Sequence, residues 1–149
     1  MSESKGKPPS RVEVKWAGGN RFDGGRPGRP SIRIDGSSET GPGPVDVLMC
    51  ALAACTAEDV ISILEKRRTP VKSLRVDEEG IRANTVPARV TAATLTYHID
   101  GEGIDGEHAS RAVHLAVEKY CSVRNSLDPN MPVAWKVVVN GESINRVIE

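Results

Sequence analysis

The sequence predicts an α+β fold with mainly antiparallel sheets, and three observations predict it. One long apolar stretch, GPGPVDVLMCALAACTAEDVISILEKRRTP at 41–70, carries the punctuation of a helix. A second run, Ala109 to Cys121, repeats apolar residues at helical spacing. Around them lie short segments of alternating apolar and polar residues, in the order strands, long helix, strands, helix, strand. That order is not the strand–helix alternation of a parallel sheet, so antiparallel pairing is expected. A chain of 149 residues is one domain by length, with 1–10 read as a disordered tail and 11–149 as the folded part.

Val12, Val14 and Trp16 alternate with Arg11, Glu13 and Lys15, which predicts a half-buried strand. Arg21 and Phe22 open a second short strand after the turn Gly18-Gly19-Asn20, and Ile32 and Ile34 mark a third, ended by Asp35-Gly36. The long helix follows. Pro44 suits its first position, where a missing N–H costs nothing. Asp46 faces the positive end of the helix dipole, and Lys66, Arg67 and Arg68 crowd the negative end. From Val47 to Ala57 only Thr56 is plainly polar, which predicts a central helix buried on all sides there. Beyond Glu58 the helix turns amphipathic, with Val60, Ile61 and Leu64 on one face.

Leu74 and Val76 begin another strand, with Glu79-Gly80 read as a hairpin turn. Arg89–Ile99 is strand-like, with Leu95, Tyr97 and Ile99 on one face and a bulge expected near Ala92, because Val90 is out of phase. Ala109, Ala112, Val113, Ala116, Val117 and Tyr120 form the stripe of the second helix, which Cys121 closes. Val133, Trp135, Val137 and Val139 give a last strand.

Composition excludes several classes of function. Lys+Arg and Asp+Glu number 20 each, so no overall field draws the chain to nucleic acid or to a membrane surface. Aromatics at 3% leave little to stack on single-stranded bases. No apolar run reads as long enough to span a bilayer, and MSESKGKPPS has no signal-peptide core, so a cytoplasmic protein is expected. His98, His108 and His114 share no ligand spacing with each other or with the cysteines, so no metal is expected.

The chemistry-bearing residues are the three cysteines, Cys50, Cys55 and Cys121, which form no CxxC. Cys55 on the central helix and Cys121 at the end of the second could meet if those helices pack together. Taken by itself, a lone Cys in an Ala-rich helix is usually a small hydrophobe, and packing is the simpler reading. A reactive Cys55 needs a cation beside it, because burial alone raises a thiol pKa. Arg21 is the candidate cation. Asp46, about 900° of helical rotation before Cys55, cannot touch it along the helix but could hold an arginine. Cys50 lies about 140° around the helix from Cys55 and is read as a core residue.

GPGPVDVLMCALAAC, TAEDVISILEKRR and EKYCSVRNSL, with VKWAGGNRF and SIRIDG upstream, resemble the OsmC/Ohr family over about Val12 to Val139. DVISILEKRR and EKYCSV are most similar to the branch typified by YhfA. The resemblance implies an intertwined homodimer whose long buried central helices are wrapped by sheets. It implies a thiol peroxidase, an antioxidant enzyme that reduces organic hydroperoxides and needs no bound cofactor. Cys55 would be the peroxidatic and Cys121 the resolving cysteine, and an external dithiol, in the family a dihydrolipoyl group or lipoylated protein, would be the reductant. Arg21, in GGNRF, matches the family arginine that organises the thiolate; Val45 stands at the family's glutamate, and Asp46 is the nearest carboxylate. A second reading is a non-catalytic member that binds a small apolar ligand or a partner at the dimer cleft.

Overall fold

A computed structural model describes residues 6–145; residues 1–5 of the expected tail lie outside them. The fold is α+β, in two compact units that meet in sequence between Leu48 and Met49.

The first unit holds strands β1 (Glu13–Trp16), β2 (Arg21–Gly25) and β3 (Ile32–Asp35) in one antiparallel sheet, with Trp16 opposite Phe22 and Arg21 opposite Asp35. The three strands fall where alternation places them. The expected half-burial of β1 does not occur: Val14 is 57% and Trp16 71% exposed. Asp35 is buried and accepts bonds from the amides of Ser37 and Thr40 at 2.9 Å and from the Thr40 hydroxyl at 2.8 Å. Those donors draw its carboxyl pKa down to about 2 and tie the loop that leads to the central helix.

Helix α1 (Pro44–Lys66) starts at Pro44, as the sequence predicts. The Asp46 carboxylate closes its first turn by accepting from the Gly43 amide at 3.0 Å. Leu52, Thr56, Val60 and Leu64 recur every four residues as one buried stripe. The first half is therefore not enclosed on all sides within one chain: Leu48 and Cys50 are exposed. Cys50 is thus not a core residue here. At 23 residues α1 is also long and apolar enough to cross a membrane by length and composition alone, contrary to the sequence reading.

The second unit holds a sheet in the order β4 (Ser73–Arg82), β5 (Val90–Asp100), β6 (Val133–Val139), β7 (Glu142–Ile144). β4–β5 and β6–β7 are antiparallel; β5–β6 is parallel, and α2 (Gly106–Leu115) lies on the crossover between them. Leu95, Tyr97 and Ile99 of β5 are buried, as their spacing requires, and join Val137 and Val139 of β6 in the core. The expected bulge is present: Ile81 faces Ala92 but Arg82 faces Val90, so Thr91 is the extra residue. No hairpin forms at Glu79-Gly80; β4 runs straight through it. Gly80 serves close packing instead, since a Cβ there would lie 2.8 Å from the Met49 sulfur. β7 was not expected. Asn140 (φ 47°) and Gly141 (φ 81°) make the tight turn that leads into it.

Candidate functional site

The second helix does not end as a simple α-helix. After Leu115 the chain makes a π-helical turn (Ala116–Tyr120), closed by the Cys121 amide bonding the Ala116 carbonyl at 3.0 Å. The extra residue in that turn rotates the stripe. Tyr120, expected on the buried face, is 50% exposed, and Cys121 turns inward to 4%. Cys121 then caps the short helix α3 (Ser122–Asn125), its Sγ accepting from the Arg124 amide at 3.3 Å. Cys121 is thus both the end of one helical turn and the start of the next, not only a C-terminal residue.

Cys55 is half-buried on α1 and packs against the core cluster that contains Cys121. Both thiols are free, and Cys55 is among the groups that act on the Cys121 thiol. Burial pushes the Cys121 thiol up to about 11; the Arg124 amide pulls it down, and the neighbouring Cys55 raises it further. Two thiols in this arrangement can be joined by a two-electron oxidation. A pocket of about 170 Å³, lined in part by Lys119, Cys121, Arg124 and Leu127, opens beside Cys121.

Beneath the thiols lies a buried hydrogen bond. The Tyr97 hydroxyl is 2.6 Å from Thr56 Oγ1, next in sequence to Cys55. Thr56 Oγ1 also lies 3.1 Å from the Leu52 carbonyl and 3.0 Å from that of Ala53. Either hydroxyl can be the donor in the bond between them. Burial first, then the charges of Glu78 and Cys121, push Tyr97 up to about 12, with the Thr56 bond opposing.

Of the predicted residues, Cys55 and Cys121 are brought together. Arg21 is not brought to Asp46 within the chain. Arg21 lies exposed on β2, its Nε 3.4 Å from the Gly18 carbonyl, and Asp46 bonds its own helix start. No ion pair joins the two among the described residues. Nor do three His, Cys, Asp or Glu side chains gather there as a metal site. His108 is occupied by Asp105 and Arg67, and His98 by Asp77.

Sequence reasoning missed Glu78, Tyr97 and the π turn. Glu78 had a signal: it continues the Leu74, Val76 phase of β4, where a charge is out of place.

The sequence model of the OsmC-like proteins matches residues 36–136. The chain belongs to that family. It is 33% identical over 131 residues to Protein YhfA of Escherichia coli (strain K12), a match covering 86% of this chain and 98% of that one. A crystal structure of a hypothetical protein from Aquifex aeolicus VF5 is 26% identical, with a TM-score of 0.76 over 90% of this chain and 99% of its own. An organic hydroperoxide resistance protein OsmC from Legionella pneumophila shares the fold at 16% identity, with a TM-score of 0.59 over 88% of this chain and 98% of its own. The OsmC-like fold thus covers both units of the chain and the segments carrying Cys55 and Cys121.

Proposed function

We propose that this OsmC-like protein is a cysteine-based peroxidase that reduces organic hydroperoxides. The observation that carries the reading is the Cys55–Cys121 thiol pair at the edge of an apolar core. In this reading the Cys55 thiolate attacks the terminal peroxide oxygen, the alcohol leaves, and Cys55 becomes a sulfenic acid. Cys121 condenses with it to a disulfide and water. An external dithiol, of the dihydrolipoyl type, restores both thiols by exchange. The pocket beside Cys121 gives that dithiol a way in. Cys121 suits the resolving role because its thiol is held up at about 11 and stays protonated at neutral pH.

The active form in this reading is a homodimer in the cytoplasm. The exposed apolar residues Val14, Trp16 and Leu48 support a second copy as the missing cover. Arg21 would then meet the thiol site in the assembled dimer, with Asp46 orienting it.

The test is mass spectrometry after one equivalent of cumene hydroperoxide. The parent should give a Cys55–Cys121 disulfide. Cys121→Ser should hold a sulfenic acid on Cys55, Cys55→Ser should not consume hydroperoxide, and Cys50→Ser should match the parent. Oxidation landing first on Cys121, or on neither thiol, rejects the reading. The second reading, a non-catalytic binder of a small apolar ligand or partner, would then lead. One observation favours it: none of the groups acting on Glu78, Tyr97 or Cys121 among the described residues is a cation.

A further inference from the structure

Glu78 is the one carboxyl among the described residues with a buried oxygen that has no hydrogen-bond partner: its Oε1 is shut off from water and bonds nothing. Such an atom is costly unless something in the working protein uses it. Its place is fixed by register. Glu78 stands opposite Leu95, and Val76 opposite Tyr97, so Glu78 looks into the same face as those two buried side chains. Two contacts bracket it against α1. Gly80, two residues on, packs on Met49, and Tyr97, one pair back, bonds Thr56. Glu78 therefore faces the stretch of α1 between Met49 and Thr56, which carries Cys55. Its charge is felt at Tyr97, as is that of Cys121.

We propose that Glu78 is the proton donor of the thiol site. The inference rests on the peroxidase reading of Cys55. The Cys55 thiolate forms a bond to the terminal peroxide oxygen and the O–O bond breaks. The alkoxide leaves with the electron pair and takes the carboxyl proton of Glu78. The products are the alcohol, the Cys55 sulfenic acid and the Glu78 carboxylate; sulfur is oxidised by two electrons and the peroxide reduced by two. When reduction by the dithiol has restored the Cys55 thiol, Cys55 loses a proton and Glu78 regains one, which closes the cycle.

The surroundings suit a carboxyl that is protonated when the reaction begins. The titratable groups whose charges are felt with it are Tyr97 on β5 and, at Tyr97, Cys121; Asp77, Glu79 and the Lys136 cation of β6 line a pocket with it. Burial raises Glu78 to about 7, so both of its protonation states are reached near neutral pH.

Two reagents separate this role from a structural one. Iodoacetamide needs only a thiolate, because iodide leaves without a proton; a hydroperoxide needs both. Glu78→Gln keeps the shape of the neutral carboxyl but gives up no proton. At pH 6.5 it should slow cumene hydroperoxide oxidation of Cys55 about a hundredfold while changing alkylation by no more than about twofold. In the parent, the hydroperoxide rate per thiolate should fall as pH rises through about 7, and the variant should lose that fall. Equal slowing with both reagents, or an unchanged hydroperoxide rate, overturns the proposal. A variant that does not fold leaves the parent profile to decide, and a profile with no fall near 7 overturns it too. A parent whose Cys55 alkylates but ignores hydroperoxide overturns the peroxidase reading and this inference together.

Discussion

The two sheets of this chain are written in the same alternating pattern, yet they solve their burial differently. β5 and β6 put Leu95, Tyr97, Ile99, Val137 and Val139 into a core that the chain completes itself. β1 and β3 leave Val14, Trp16 and Ile32 in the open. The core sheet shares its hydrophobic cluster with the thiol pair. The open sheet carries Arg21, the cation assigned to that pair by resemblance. Alternation states that one face must be covered; it does not state by which chain.

The sharpest break in the comparison is a truncation on the closed side. Leu95→Ala removes a side chain with no exposed surface and should cost about 2–5 kcal/mol in denaturant unfolding, at any protein concentration. A loss under half of that would mean the core collapses around the site. On the open side the effect should depend on concentration. Trp16→Glu should weaken the proposed dimer at least about tenfold, near 1.4 kcal/mol, while leaving the near-ultraviolet signature of the core unchanged. Sedimentation that finds the parent a stable monomer at micromolar concentration removes this explanation of the open sheet.

The smallest effect concerns Asp35, which ties the open unit together by its accepted bonds. Its carboxyl pKa is lowered from 3.8 to about 2 in the folded chain. Its stabilisation is therefore complete above pH 3.8 and is lost as pH falls toward 2. Hydrogen exchange at the Ser37 and Thr40 amides should accelerate over that window. Asp35→Asn should show fast exchange at pH 6 already, and an unchanged rate there would refute the role.

Much of this architecture was legible because period and punctuation are local. Pro44 starts α1, Leu95, Tyr97 and Ile99 share a face, and the Val90 phase slip marks the bulge. The errors came where tertiary packing overrules local signals. Gly80 reads as a turn but sits mid-strand because Met49 needs the room. Tyr120 fits an α-helical stripe that the π turn then rotates. The hairpin at Asn140-Gly141 went unread, and its second strand is only three residues long, too short for alternation to mark. At the site, two cysteines could be named from sequence. Their contact, and the carboxyl below them, depend on which residues β4 and β5 set opposite each other.

The double role of Cys121 ties reactivity to the slack of the chain that follows. Its sulfur holds the Arg124 amide, and the Arg124 guanidinium grips the carbonyls of Asp128 at 3.1 Å and Met131 at 2.8 Å. Val133, where β6 begins, is two residues beyond Met131. The sulfur is thus the first link of a tether running to the edge of the core sheet. Segment 121–131 is thus held at its start by one sulfur and farther along by one guanidinium, so the loop before β6 depends on the side chains of two residues.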